Sequence, residues 1–205
     1  AIVFVDAFAY GANNGTDWFH AYNSLKTAVE NSPPGSEIWV AEGVYFATAL
    51  NDPDAEETIA LKPGMKLYGG FKGWSLVRQP REGMSRLFQR NPSRHRTIIE
   101  GRFPEAATDG ADLRSRLLVQ GAEGGVVDGF VFRNAGKGCE GGDECGGTAF
   151  MGGALRVVDI GVATQVVSNC VFLNNSGCRG VAIHVGSGVL KADNNYYTNS
   201  LTCTS

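Results

Sequence analysis

The stretch Val126-Val127-Asp128-Gly129-Phe130-Val131-Phe132-Arg133-Asn134 decides the fold, because it comes back twice along the chain. Residues 166–174 repeat its apolar pattern and its final asparagine, and residues 191–199 keep the aromatic position and the asparagine. A repeated short strand that closes on a polar turn is typical of chains that wind into coils and stack equivalent strands. The repeat therefore predicts a solenoid of parallel strands.

Composition agrees with many short strands and little helix. The 28 glycines are roughly double the usual ~7% share, and the seven prolines add further turn signals. A hydrophobic content of 43% is ample for a core in a chain of 205 residues. No run approaches the ~18 apolar residues of a membrane span, and the first residues lack the pattern of a signal peptide. We expect a mature soluble protein without a membrane span.

The net charge of −3 argues against a nucleic-acid partner, since domains of that class are usually strongly basic. Positive charge is nevertheless concentrated between Lys72 and Arg102. Most runs of this kind are solvated loops, and the others hold an anionic partner. The candidates for holding an anionic ligand are Arg78, Arg81, Arg86, Arg90, Arg94 and Arg96.

The chain begins with a predicted strand from Ile2 to Val5 and a helix over 18–31, which Asp17 or a neighbouring polar residue would cap. Stacked strands leave an open end, and a short amphipathic helix is well placed to cover it. Strand and turn signals then alternate to the last residues. We therefore divide the chain into residues 1–35, the first strand and capping helix, and residues 36–205, the coils of one continuous domain.

Strands that follow one another with almost no helix between them argue against a doubly wound sheet, and the lack of hairpin signals argues against a sandwich. Parallel connections are right-handed by default. The predicted fold class is all-β, a right-handed single-stranded parallel β-helix (solenoid) with a short N-terminal capping α-helix. Alignment of the copies assigns inward positions to Phe130, Cys170, Asn195, Phe132, Phe172 and Tyr197, and predicts a ladder of amides inside one turn from Asn134, Asn174 and Asn199.

Five cysteines suggest an oxidising compartment. Cys139 and Cys145 enclose a short glycine-rich loop that a local disulfide could close. Cys178 and Cys203 share the offset of two repeat copies, so they would lie on neighbouring coils ~4.8 Å apart, which is within reach of a disulfide. Cys170 replaces an apolar residue of the repeat, and we expect it to be a buried thiol without a catalytic role.

Several segments carry a family resemblance: residues 5–6, 11, 14–16, 18 and 21–22, then 37–45, 66–73 and 97–101. In these segments the chain resembles secreted bacterial right-handed parallel β-helix proteins of the pectate-lyase-like superfamily. The resemblance covers nearly the whole chain. It implies a secreted or cell-surface location, but the group has no single activity that could be carried over.

Enzymes of this superfamily cleave acidic polysaccharides, and such a lyase needs a Lys or Arg as base and often Ca²⁺ held by acidic side chains. Arg156 and His184 occupy matching positions in successive coils and would point outward from one face, with Arg179 near them. Outward positions must be polar for solubility, so the pair also has a purely structural explanation. Ca²⁺ is the one cofactor that the sequence suggests, with candidate ligands Glu140, Asp143 and Glu144.

We therefore expect a non-catalytic extracellular or cell-surface module for adhesion, glycan contact or assembly into a larger surface structure. The copies continue to the last residues, and exposed strand edges there favour end-to-end self-association or a surface-assembly partner. The alternative is a polysaccharide lyase or hydrolase that acts on acidic glycans. Tyr45, Trp74 and Tyr196 are aromatic residues that could stack on sugar rings.

Overall fold

The computed structural model describes residues 1–74, 86–105, 113–136, 153–157, 163–177, 181–198 and 201–202. Within these ranges the chain forms mostly β-strands, one α-helix, α1 (Leu25–Asn31), and one 3-10 turn (Leu87–Gln89). No helix in the described part is long and apolar enough to cross a membrane.

Seventeen strands follow one another in the described ranges: β1 (Ile2–Val5), β2 (Glu37–Ala41), β3 (Gly43–Phe46), β4 (Ile59–Ala60), β5 (Lys66–Phe71), β6 (Thr97–Glu100), β7 (Val119–Gln120), β8 (Val126–Asp128), β9 (Phe130–Arg133), β10 (Leu155–Val157), β11 (Thr164–Ser168), β12 (Val171–Leu173), β13 (Ser176–Gly177), β14 (Ile183–Val185), β15 (Val189–Asp193), β16 (Tyr196–Thr198) and β17 (Leu201–Thr202).

Three parallel sheets contain all but the short pair β13 and β17. Sheet A has the order β1-β2-β5-β8-β11-β15, sheet B the order β3-β6-β9-β12-β16, and sheet C the order β4-β7-β10-β14. The chain visits sheets C, A and B in rotation, and we call each passage a rung: β2 and β3 form rung 1, β4 to β6 rung 2, β7 to β9 rung 3, β10 to β12 rung 4, and β14 to β16 rung 5. The prediction of an all-β chain with parallel strands is confirmed.

The copies of the repeat lie directly above one another. Val126 pairs with Val166, which pairs with Lys191 in sheet A. Val131 pairs with Val171 in sheet B, and the next rung continues this register. The sequence alignment therefore predicted the register of rungs 3 to 5 correctly.

Stacked aromatic rings fill the interior at the positions that the repeat assigned inward. The ring centroids of Phe132 and Phe172 lie 5.0 Å apart at 6°, and those of Phe172 and Tyr197 lie 5.1 Å apart at 9°. Phe130 and Cys170, at the other inward position, are almost fully buried. Tyr197 belongs to the last rung and is 48% exposed, so the interior opens there.

Amide side chains satisfy backbone groups where the chain turns between sheets. Buried Asn175 accepts a hydrogen bond from the Ala135 N–H (3.0 Å) and donates to the Phe132 carbonyl (3.1 Å). In rung 5, Asn195 accepts a hydrogen bond from the Cys170 N–H (2.9 Å) and donates to the Val167 carbonyl (2.9 Å). Buried polar groups need such partners. The replacement of an apolar inward residue by Asn195 is thereby explained, because its amide binds the backbone of the rung before it.

The N-terminal helix is shorter than predicted. It begins at Leu25 because Ser24 caps it, with the Ser24 Oγ accepting from the Thr27 N–H at 3.2 Å. The predicted cap, Asp17, instead accepts from the His20 N–H at 2.8 Å in a separate turn. Leu25, Ala28 and Val29 are buried in the main core.

The predicted amide ladder inside a turn is wrong for the residues that the structure describes. Asn174 is exposed, and the Asn134 amide donates to Glu100 of the preceding rung at 2.8 Å. Both asparagines follow sheet B strands with positive φ, 57° and 53°. Asparagine tolerates this left-handed conformation, which accounts for its recurrence at this position. The third member, Asn199, lies outside the described residues.

The last rung exposes large apolar side chains, among them Val189, Tyr196 and Tyr197. Self-association through this rung stays a prediction.

The ring stack is expected to dominate stability. Phe172→Ala should lower the free energy of unfolding by about 3–5 kcal/mol, because it empties a fully buried ring position between two others. Phe88→Ala makes the same chemical change at a side chain that is 79% exposed and should stay within about 0.5 kcal/mol of the wild type. Chemical denaturation measures both values, and equal losses in the two variants would contradict the stack.

Candidate functional site

One inserted segment shapes the surface where sheet A passes into sheet B. This corner is short in the other rungs: Glu42 in rung 1, Gly129 in rung 3, Asn169 and Cys170 in rung 4, and Asn194 and Asn195 in rung 5. In rung 2, the described residues 72–74 and 86–96 stand at the same corner, and we call these two stretches the inserted segment. Loops carried on a rigid scaffold are the usual place for binding residues.

Two glycines let the inserted segment lie directly on the corner. The Asn91 N–H donates to the Gly70 carbonyl at 2.6 Å. A Cβ at Gly70 would lie 2.6 Å from the Pro92 nitrogen, and one at Gly129 would lie 2.7 Å from the Arg90 guanidinium. Both glycines also have positive φ, 92° and 84°. A larger residue at either position would push the inserted segment away.

Arg90 anchors the inserted segment to rung 3. Its Nη2 lies 2.6 Å from the Asp128 Oδ1, and its Nη1 donates to the Gly69 carbonyl at 3.3 Å. The guanidinium also lies 5.4 Å from the centroid of the Tyr68 ring. The charge of Arg90 is thus compensated by a mostly buried carboxylate, and the role of Arg90 in holding an anionic ligand stays a prediction.

A pocket of about 630 Å³ opens where the inserted segment meets the N-terminal strand. We call it the aromatic pocket. Phe8 and Tyr10 line it and are 66% and 68% exposed. Trp74 stands between Tyr10 and Phe19, with ring centroids 5.6 Å and 5.3 Å away. The lining residues are Asp6, Phe8, Tyr10, Glu42, Gly43, Lys72, Trp74, Arg94 and Arg96.

The charges of the aromatic pocket favour an anion. Lys72, Arg94 and Arg96 contribute three cationic groups, and both arginines are exposed. Glu42 is engaged by His95, whose Nδ1 lies 2.9 Å from the Glu42 Oε2. Exposed guanidinium groups bind carboxylate, sulfate or phosphate groups through two parallel hydrogen bonds. The pocket therefore combines apolar ring faces with anion-binding groups.

Asp6 holds Trp74 in place. Its Oδ1 accepts from the Phe8 N–H (2.9 Å), its Oδ2 accepts from the Trp74 N–H (2.7 Å), and the residue is almost fully buried. Burial raises the pKa of the Asp6 carboxyl above its ordinary 3.8, the two backbone hydrogen bonds oppose this, and the charge of Glu42 adds to the rise. Asp6 is therefore a positioning residue for the aromatic pocket.

The three aromatic residues proposed from the sequence as sugar contacts lie in different environments. Trp74 lines the aromatic pocket, and Tyr196 lines a second depression on the other side of the inserted segment. Tyr45 is buried, donates to the Ala41 carbonyl at 3.1 Å and accepts from the Ala7 N–H at 3.3 Å. Its burial raises the pKa of the Tyr45 hydroxyl. The prediction that Tyr45 could stack on a sugar is wrong, because its ring is packed in the core.

The remaining arginines of the basic run separate into groups. Arg94 and Arg96 lie in the aromatic pocket, and Arg86 is exposed beside the Phe88 ring. Arg78 and Arg81 lie outside the described residues. Sequence reasoning missed Phe8 and Tyr10, because they are distant from the basic run along the chain and adjoin it only in the folded molecule.

Arg156 and His184 are brought together as the sequence predicted. In sheet C, Arg156 of rung 4 pairs with His184 of rung 5 on one side and with Gln120 of rung 3 on the other. The Arg156 Nε donates to the Gln120 Oε1 at 2.8 Å, so this guanidinium already takes part in a polar column. Arg179 and the candidate Ca²⁺ ligands Glu140, Asp143 and Glu144 lie outside the described residues. Among the residues that are described, no group of three or more His, Cys, Asp and Glu side chains could hold a metal ion.

Cys170 is a buried free thiol, as predicted. Burial raises the pKa of the thiol to about 12, which leaves almost no thiolate at neutral pH. The two predicted disulfides stay predictions, because Cys139, Cys145, Cys178 and Cys203 lie outside the described part of the chain.

Comparison with protein-family models, with curated proteins and with solved structures found no match to this chain.

The raised pKa of Asp6 predicts a pH dependence of stability. Because the native state disfavours the charged carboxylate, the stability that Asp6 contributes is fully present below its ordinary pKa of 3.8 and declines as the pH rises through the raised native value. The free energy of unfolding of the wild type minus that of Asp6→Asn should therefore fall as the pH rises above the ordinary carboxyl pKa of 3.8. Asp52→Asn, on an exposed loop, is the matched control. A difference that rises with pH would contradict the assignment.

Proposed function

We propose that this protein is a non-catalytic extracellular β-helix module that binds an acidic glycan in the aromatic pocket. The observation that carries the proposal is the combination of exposed rings with three cationic side chains in one pocket of about 630 Å³. Pockets that bind small ligands span about 300–1,000 Å³ and set a few polar groups among apolar walls. Adhesion and assembly into a surface structure are the uses that such a module would serve.

The scaffold proposed for this module is a right-handed, single-stranded parallel β-helix. Rotation of the chain through sheets C, A and B supports it, since each of rungs 2 to 5 returns to the same three sheets in parallel. Crossovers between parallel strands of one sheet are right-handed in nearly all proteins. The sequence resemblance to the pectate-lyase-like superfamily points the same way.

The ligand class follows from the chemistry of the pocket. The exposed rings of Phe8 and Tyr10, with the half-buried Trp74 packed against Tyr10, offer apolar surface to the C–H face of a sugar ring. Arg94 and Arg96 offer paired N–H donors to a carboxylate or sulfate on that sugar. A neutral sugar would leave these cations without a partner, and a simple anion would leave the rings exposed. An acidic glycan satisfies both groups.

The carboxylates of the pocket support a binding role over a catalytic one. Both oxygens of Asp6 accept backbone hydrogen bonds, and Glu42 is engaged by His95. A general acid or base needs an oxygen that can reach the bond being broken. An extracellular location is favoured by the five cysteines, because disulfides persist in oxidising compartments.

Substitutions in the pocket test the proposal. Tyr10→Ala and Trp74→Ala should each weaken binding of polygalacturonate, alginate or heparin by roughly 10-fold, because an aromatic face worth ~1.4 kcal/mol is lost. Arg94→Ala should weaken binding most at low salt, since exposed charge contacts are screened. Titration calorimetry at two salt concentrations measures these effects.

Arg116→Ala is the matched control, since Arg116 pairs with Glu56 away from the pocket. It should leave the affinity unchanged. Absence of binding to every acidic glycan by the wild type would sink the proposal, as would equal losses in Arg94→Ala and Arg116→Ala.

A polysaccharide lyase remains the second candidate, and one observation favours it, the register of Arg156 with His184 on sheet C. In that case polyuronates supplied with Ca²⁺ should yield unsaturated products that absorb in the ultraviolet. Arg156→Ala should abolish this signal, because it removes the candidate base, while Arg116→Ala should keep it. No ultraviolet signal from the wild type on a broad glycan panel would rule this candidate out.

A further inference from the structure

We infer that the protein has a second carbohydrate subsite, a groove beyond the inserted segment that takes an uncharged sugar ring of the same glycan chain. The inference rests on the proposed function, which it extends from one pocket to two. The groove has a volume of about 740 Å³ and lies along the corner of rungs 4 and 5. Its lining residues are Leu87, Phe88, Arg90, Pro92, Ser93, Asn169, Cys170, Val171, Asn194 and Tyr196. We call it the ladder groove.

Two exposed aromatic rings flank the ladder groove. Phe88 comes from the inserted segment and is 79% exposed, and Tyr196 comes from β16 and is 63% exposed. Exposed apolar rings that share one depression are typical of interaction sites. Since the two residues belong to different parts of the chain, the groove depends on the contacts that hold the inserted segment on the corner, among them the ion pair of Arg90 with Asp128.

The floor of the ladder groove is a column of polar side chains. Asn194 donates its amide to the Asn169 Oδ1 at 2.6 Å, and Asn169 donates to both oxygens of Asp128 at 3.1 Å. The ladder uses one N–H of Asn194, and an amide has a second donor and an acceptor oxygen. Asn194 is exposed, so its amide can exchange hydrogen bonds with sugar hydroxyls.

The charge of the ladder groove distinguishes it from the aromatic pocket. Arg90 is the charged residue among those that line it, and Asp128 compensates this charge. Amides and ring faces without an uncompensated charge match a neutral sugar. A sugar ring is therefore the occupant that the groove favours.

The two sites are close enough for one glycan chain. The aromatic pocket lies against rung 1 and the ladder groove against rungs 4 and 5, which places them roughly 15–20 Å apart at ~4.8 Å per rung. Two linked contacts raise the apparent affinity, because the second contact becomes intramolecular. A long glycan that carries both acidic and neutral sugars should therefore bind more tightly than either kind alone.

The experiment compares three probes by titration calorimetry: a neutral glucan or galactomannan, polygalacturonate, and xanthan, which carries both neutral and acidic sugars. Phe88→Ala and Tyr196→Ala should each weaken binding of the neutral probe and of xanthan by roughly 10-fold, because one ring face is lost. They should leave polygalacturonate affinity unchanged. Tyr196→Phe keeps the ring and should keep binding. Leu50→Ala, at an exposed apolar residue outside both sites, is the control.

The outcomes separate the two proposals. The ladder groove is supported if the wild type binds the neutral probe, if Phe88→Ala and Tyr196→Ala lose this binding, and if Trp74→Ala retains it. This result would hold even where no acidic glycan binds. Acidic-glycan binding that depends on Trp74, with no effect of Phe88→Ala or Tyr196→Ala on any probe, overturns the ladder groove and leaves the aromatic pocket standing. Absence of wild-type binding to all three glycan probes overturns both.

Discussion

The short passages from sheet A to sheet B in rungs 3 to 5 depend on a left-handed backbone residue. Gly129, Asn169 and Asn194 hold this place, with φ of 84°, 53° and 51°. A corner of one or two residues must turn the chain from sheet A into sheet B within one peptide or two, and glycine and asparagine reach that conformation at least cost. Short corners of equal geometry keep the strands on either side in register, which in turn stacks Phe132, Phe172 and Tyr197.

The type of residue at the corner determines whether another segment of the chain can pack against that corner. Where glycine stands, as at Gly129 in rung 3, another segment can approach closely, and the side chains of Arg90 and Pro92 of the inserted segment do so. Where asparagine stands, as in rungs 4 and 5, the side chain projects and joins the ladder that begins at Asp128. One column of corners therefore provides both the seat of the inserted segment and the polar floor of the ladder groove.

The sequence predicted what depends on the repeat and missed what depends on contacts between distant segments. Register and inward positions followed from Val126 to Asn134, because identical spacing forces identical stacking. Asn134 and Asn174 were misassigned to an internal ladder, because asparagine is equally suited to amide stacking and to a left-handed turn, and sequence does not distinguish these roles. The aromatic pocket could not be found, since Tyr10 meets Trp74 only after the inserted segment folds back on the first strand.

Two buried carboxylates at the carboxyl ends of sheet A strands fix the two described parts of the inserted segment. Asp6 follows β1 and binds the Trp74 N–H, whereas Asp128 ends β8 and binds the Arg90 guanidinium. Because both acids are engaged within the protein, their role is to position the inserted segment. The exposed groups beside them are aromatic rings, amides, the cations of Arg94 and Arg96, and the carboxylate of Glu42, which is 45% exposed and contacts His95. For the acidic glycan proposed above, Arg94 and Arg96 would supply the positive charge, since Asp6 and Asp128 are turned to partners inside the scaffold.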